Sequence, residues 1–182
     1  MIQFIHQSFI DSSVCDEVLN YYQNNVKDEG KYFNGSEFIV DKNIKDSVDC
    51  VLEFNCDTYK SYTKKLIEVA KEYIEEYSYS NAYAPWGIVE PINIQYYKPG
   101  AGYKTWHTEN CCANSTRHLA FMTYLNDVNV DGETEFYYQD IKVKPMKGKT
   151  LIWPTDWTFT HRGIPAMSED KYIITGWFNY LK

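Results

Sequence analysis

The sequence has little with which to bind nucleic acid, cross a membrane or staple itself with disulfides. Lys and Arg number 18 against 25 Asp and Glu, giving a net charge of -7. Non-specific nucleic-acid binding depends on cations that neutralise phosphates, so no nucleic-acid partner is expected. The clearest basic stretch, Lys142, Lys144, Lys147 and Lys149, alternates as on strands and is expected on a solvated face. No run of about 18 apolar residues occurs, so no membrane-spanning helix is expected. The opening MIQFIHQSFIDSS has neither a basic stretch nor a long apolar core, which argues against a signal peptide and for a cytoplasmic protein. Five cysteines (Cys15, Cys50, Cys56, Cys111 and Cys112) are an odd count without C-x-x-C spacing. They read as free thiols in a reducing compartment, not as a disulfide framework or zinc knuckle. The sequence also lacks G-x-S-x-G, a phosphate-binding loop and a dinucleotide fingerprint, the usual signatures of serine acyl transfer, nucleotide hydrolysis and hydride transfer.

What is present fits one domain over residues 1–182, long enough for a real core and free of internal repeats. Residues 1–87 read as a helical and mixed support region. Asp11-Ser12-Ser13 offers caps for a helix with Val14, Val18, Tyr21 and Tyr22 on its apolar face. A longer helix is predicted from about Thr58 to Tyr77, where Tyr59, Tyr62, Leu66, Val69, Tyr73 and Tyr77 recur at three- and four-residue steps. Short strands are expected within 30–56. From residue 88 onward the pattern changes to short β-like runs parted by turn residues: Pro91–Tyr97, His118–Leu125, Thr134–Tyr138, Ile141–Val143, Thr150–Trp153, Trp157–His161 and Tyr172–Phe178. Many short strands with Gly, Pro and Asn turns indicate a sandwich or barrel, mainly β, with the helices covering one outer sheet face.

The chemistry-bearing residues lie in this second region. His107 and Glu109 form an H-x-E pair; in an extended strand, residues two apart share a face, so both can aim at one metal ion. His161 ends a later run and can close the site from the opposite wall. Two imidazoles and a carboxylate are the donors of a facial triad, suited to Fe(II) and also to Mn, Co or Zn, with one face left open. Lys171 follows His161 by ten residues, where a cation can hold the far carboxylate of a dicarboxylic acid. Each piece alone has a plainer reading: a surface histidine beside a solvated glutamate, a lysine after the turn Ser168-Glu169-Asp170, and tyrosines in a core. His6 and His118 have no evident partners and are assigned no metal role.

Tyr97, the turn Lys98-Pro99-Gly100-Ala101-Gly102, His107-x-Glu109, Tyr124-Leu125-Asn126, Gly132-Glu133-Thr134-Glu135-Phe136, Pro145-Met146-Lys147-Gly148, His161 and Lys171 follow one another in a fixed order. Over roughly residues 90–180 this order resembles the Fe(II)- and 2-oxoglutarate-dependent dioxygenases, in particular the prolyl 4-hydroxylase-like branch. The resemblance implies a double-stranded β-helix, a cupin-like jelly-roll whose mouth holds iron, as the core over 88–182. It implies His107, Glu109 and His161 as the metal ligands. Lys171 would pair with the distal carboxylate of 2-oxoglutarate, Tyr124 would hydrogen-bond the same carboxylate, Tyr97 would sit near co-substrate and metal, and Trp177 would line the pocket. With Fe(II), 2-oxoglutarate and O2, the implied reaction hydroxylates a C–H bond and releases succinate and CO2. No side chain beyond the metal centre needs to act as a nucleophile. The implied substrate is a peptidyl, prolyl-type side chain, with a small molecule as the alternative. Glu109 departs from the family's usual aspartate by one methylene, which bears on metal affinity and geometry.

Two other classes use the same residues. A zinc hydrolase would use the two histidines and the carboxylate with a metal-bound water, but it leaves Lys171 without a task. A jelly-roll binding module without chemistry would show Glu109 turned away from the histidines. Neither substrate identity nor oligomeric state is legible in the sequence.

Overall fold

The two helices form where an apolar stripe at helical spacing meets a usable start. Residues 3–181 are described by a computed structural model. Helix α1 (Ser12–Asn24) begins after Asp11, whose carbonyl accepts from the Val14 N–H at 3.0 Å. It buries Val14, Cys15, Val18 and Tyr22 on one face. Helix α2 (Asp57–Glu76) starts one residue earlier than the sequence pattern indicates, because the Cys56 thiol caps the Tyr59 N–H. Its buried face is Tyr62, Thr63, Leu66, Val69, Ala70 and Tyr73. Among the described residues, no helix is long and apolar enough to cross a membrane.

The strands in chain order are β1 (His6–Phe9), β2 (Asp28–Glu29), β3 (Tyr32–Phe33), β4 (Phe38–Ile39), β5 (Val48–Leu52), β6 (Trp86–Gly87) and β7 (Ile92–Tyr97). They continue with β8 (Arg117–Tyr124), β9 (Thr134–Phe136), β10 (Ile141–Val143), β11 (Lys149–Pro154), β12 (His161–Gly163) and β13 (Lys171–Tyr180). An eight-stranded sheet runs β1-β11-β8-β13-β7-β5-β2, with β6 beside β13. Every pairing in it is antiparallel. A three-stranded sheet, β10-β9-β12, forms the opposing wall of the jelly-roll, and β3 and β4 make a separate hairpin. The first 87 residues thus supply strands to the large sheet as well as the helices that cover it.

Strand alternation sorts the core into two layers. Leu119 and Phe121 of β8, with Ile174 and Phe178 of β13, face the helices and pack with Tyr62, Leu66, Val69 and Tyr73. Ala120, Met122 and Tyr124, with Ile173 and Trp177, face the opposing wall and pack around Phe136, Trp153 and Phe159. Gly176 lies opposite Phe121 on the neighbouring strand, and a Cβ there would stand 2.5 Å from the ring. Phe121 is fully buried and cannot swing away. Gly176→Ala is therefore expected to cost about 1–3 kcal/mol of stability through overpacking, read as a lower urea midpoint with an unchanged slope. A midpoint equal to wild type would show that the ring has room.

Two sequence expectations change in the structure. The run Trp157–His161 is not one strand: Asp156 accepts the Thr158 N–H at 2.9 Å and winds Trp157–Phe159 into a 3-10 turn, so only His161–Gly163 is extended. Likewise His107 and Glu109 do not lie in a regular strand; that segment is held by a single antiparallel bridge, His107 to His161.

Candidate metal centre and co-substrate pocket

The bridge that replaces the expected strand is what joins the two histidines. The His107 N–H donates to the His161 carbonyl at 3.0 Å, and the His161 N–H donates back at 2.9 Å. The imidazoles are left with ring centroids 4.4 Å apart. Nδ1 of His107 lies 2.9 Å from the Thr105 carbonyl, and Nδ1 of His161 lies 2.9 Å from the Phe159 carbonyl. A carbonyl can only accept, so each Nδ1 is the protonated nitrogen and each Nε2 presents a lone pair. The Glu109 Oε1 atom faces both, 3.8 Å from His107 Nε2 and 3.4 Å from His161 Nε2. Donor atoms from all three residues lie within 4.8 Å of one another.

The protonation states suit a metal. Burial, reinforced by neighbouring His161, pulls the His107 pKa down to about 3, so this ring is neutral at physiological pH. Burial alone would raise the Glu109 pKa, but the Arg117 guanidinium beside it works in the opposite direction and the carboxyl stays below its usual range. Oriented imidazole nitrogens and an ionised carboxylate converging on one point are the donor set of a divalent-metal site with an open face. The residues present therefore fit an Fe(II) ion.

The second oxygen of Glu109 is held from the other side. Trp177 Nε1 donates to Oε2 at 2.9 Å. The Arg117 guanidinium lies 3.4 Å from the centre of the Trp177 ring, with Nη1 3.7 Å from the same oxygen and 3.1 Å from the Glu109 carbonyl. Arg117 in turn pairs with both oxygens of Glu90. Trp177 borders the pocket, but its polar edge is committed to the candidate ligand. Sequence reasoning missed both Glu90 and Arg117. It also missed Tyr103, whose ring stacks on His107 at 3.7 Å.

The triad opens into a pocket of about 650 Å³ that is also lined by Tyr97, Thr134 and Lys171. Lys171 is only 3% exposed. Its ammonium donates to the carbonyls of Gly132 at 3.1 Å and Ile164 at 3.4 Å, and it has no carboxylate partner among the described residues. Burial lowers its pKa from 10.5 to about 8, opposed by the charge of Glu133. A buried cation served only by neutral carbonyls is costly unless an anion joins it. Tyr97 lies beneath it, with the ammonium 5.1 Å from the ring centre. Tyr124 is placed differently from the expectation. Its hydroxyl is fully buried behind Thr134, 2.6 Å from Thr134 Oγ1 and donating to the Val143 carbonyl at 3.0 Å, so Thr134 and not Tyr124 borders the pocket.

Residues 92–179 match the sequence model of the 2OG-Fe(II) oxygenase superfamily. The matched stretch runs from β7 into β13, just under half of the chain, and contains His107, Glu109, His161 and Lys171. A putative prolyl 4-hydroxylase of Acanthamoeba polyphaga mimivirus is 24% identical over 199 residues, covering 98% of this chain and 74% of the relative. A prolyl hydroxylase from Trichoplax adhaerens, solved with a hypoxia-inducible-factor peptide fragment, superposes with a TM-score of 0.76 at 20% identity, covering 97% of this chain and 84% of the other. A viral collagen prolyl hydroxylase from Paramecium bursaria Chlorella virus-1, solved as a 2OG complex, gives 0.70 at 18% identity over 98% and 97%. These structures share the jelly-roll fold, and the oxygenase family works with Fe(II), 2-oxoglutarate and O2.

Proposed function

We propose that this oxygenase domain hydroxylates a peptidyl, prolyl-type side chain, with His107, Glu109 and His161 holding Fe(II) and Lys171 holding the distal carboxylate of 2-oxoglutarate. One observation carries the reading: three convergent metal donors share a pocket with a buried ammonium that has no acidic partner among the described residues. Fe(II) with 2-oxoglutarate supplies the oxidising chemistry, in which one oxygen atom of O2 enters a C–H bond and the other leaves in succinate with release of CO2. The chain's own residues bind and orient. The carbonyls of Thr105 and Phe159 fix the imidazole tautomers. Lys171 neutralises the far end of the co-substrate, and Tyr97 and Thr134 wall it in. Tyr124 sets Thr134 from behind. A peptide is favoured over a free small molecule because the pocket continues past the metal ligands to Tyr32, Phe33 and Phe38 on and beside the β3–β4 hairpin, a surface longer than one side chain requires. The named relatives point the same way. Residues 1–87 act in this reading as support within one 182-residue domain.

The test is an anaerobic titration of metal-free protein with Fe(II) and then 2-oxoglutarate, followed by turnover on a proline-containing peptide. A visible charge-transfer band on adding 2-oxoglutarate, and succinate formed in step with a peptide mass gain of one oxygen, are expected. A band with no peptide among a proline-rich panel oxidised would overturn the substrate while leaving the metal site in place.

A further inference from the structure

Glu109 is one methylene longer than the aspartate expected from the family resemblance, and the structure shows what meets the extra reach. Its two oxygens are sorted. Oε1 faces the two imidazole Nε2 atoms at 3.8 and 3.4 Å. Oε2 faces the Trp177 indole N–H at 2.9 Å and the Arg117 guanidinium at 3.7 Å. The holders are themselves held. Arg117 stacks on the Trp177 ring and is bound by the Glu90 carboxylate. Asn179, two residues after Trp177 on β13 and paired with Arg117 across the sheet, donates to the same Glu90 at 2.7 Å. Glu90 stays ionised: burial raises its pKa, but hydrogen bonds from Arg117 and Asn179 and the Arg117 charge lower it further.

We propose that Trp177 is a positioning residue matched to the glutamate. Its N–H occupies Oε2, so that Glu109 offers the metal one oxygen only, and the Glu90–Arg117–Asn179 set fixes the indole in place. A carboxylate free to rotate would present both oxygens and change the coordination of the ion. An aspartate would place its oxygens short of the indole. The contribution of Trp177 should therefore depend on the residue at position 109. This inference rests on the metal-site reading above.

The experiment is a double-mutant cycle over Glu109→Asp and Trp177→Phe in the full chain. Mn(II) and Co(II) affinities are measured by calorimetry, and the absorption bands of bound Co(II) report its coordination. Outer hydrogen bonds to metal ligands are typically worth 10–100-fold in affinity. With Glu109 present, Trp177→Phe is expected to weaken Co(II) binding by about tenfold or more and to shift the Co(II) bands. In the Glu109→Asp background, the same change should alter affinity by no more than about twofold and leave the bands in place. Should Trp177→Phe fold poorly, a tryptophan isostere with sulfur in place of the N–H, incorporated at position 177, keeps the stack on Arg117 and removes the donor alone. Equal losses in the two backgrounds would overturn the matching of tryptophan to glutamate, as would unchanged Co(II) bands with Glu109 present. A wild-type chain that bound neither ion would overturn the metal-site reading itself, a result distinct from either.

Discussion

Lys171→Met is expected to weaken 2-oxoglutarate binding by roughly 30-fold to a few thousand-fold, while Fe(II) binding without co-substrate stays within about twofold of wild type. The size follows from removing one partner of a buried, hydrogen-bonded charge pair, which costs about 2–5 kcal/mol at about 1.4 kcal/mol per tenfold. The selectivity follows from place: the ammonium shares the pocket with the triad, and its hydrogen bonds go to the Gly132 and Ile164 carbonyls. The same substitution should leave the ligand-free protein as stable as wild type or more so at pH 7, because it removes a buried cation whose hydrogen-bond partners among the described residues are the neutral Gly132 and Ile164 carbonyls. The pH dependence has two signs. The Lys171 pKa is lowered to about 8 in the fold from 10.5, so between those values the unfolded chain holds the proton more tightly. Wild-type stability should therefore rise with pH across that window relative to Lys171→Met. Binding of the dianion needs the charged form, so 2-oxoglutarate affinity should fall by about tenfold per pH unit above about 8, until the pKa of the complex is reached. Calorimetry from pH 7 to 10 and paired denaturant melts check both. A flat affinity profile, or a variant that binds 2-oxoglutarate like wild type, would remove Lys171 from the site.

The architecture was legible where side-chain period and turn chemistry agree. The stripe from Tyr62 to Tyr73 marked α2, and the run up to Tyr97 and the run through Tyr124 marked two central strands. The candidate donor cluster was legible because H-x-E, a distant histidine and a lysine ten residues on form an ordered pattern, and order survives when local structure does not. The local reasoning for His107 and Glu109 was nevertheless incomplete: a strand was expected, and one reciprocal hydrogen-bonded bridge to His161 does the work instead. The outer partners were illegible for a physical reason. Trp177 and Arg117 reach Glu109, and Glu90 reaches Arg117, only after β8, β13 and the segment before β7 are brought side by side, and nothing in their neighbours along the chain signals it. His6 shows the same limit. It ties edge strand β1 to Glu72 and Glu76 on α2, a contact between residues 70 positions apart in the second pair, and β1 itself is too short and polar to announce itself.

The second large effect concerns the metal itself. A ligand that binds only the folded state stabilises it by RT ln(1 + [L]/Kd), about 2.7 kcal/mol at a hundred times Kd. For a chain of this size that raises Tm by roughly 5–11 °C. Wild-type protein with excess Mn(II) should show a rise of that order, and His161→Ala should show none. The comparison must be the metal-induced change and not the absolute Tm, because His161 is also a packing residue. It is 5% exposed, and its ring lies 5.1 Å from Trp153 and 5.4 Å from Phe136. Truncation there opens a cavity and lowers the metal-free Tm by itself. His161→Gln fills most of that space and keeps the backbone clasp with His107, so its metal-free Tm should lie nearer wild type. It replaces an imidazole nitrogen with a weakly donating amide, so the metal-induced rise should still be lost. The same pair of variants should fail to develop the iron–2-oxoglutarate band under anaerobic titration. A full-sized metal-induced rise in His161→Ala would place the ion elsewhere, and with it the reading of Lys171 and of the whole pocket.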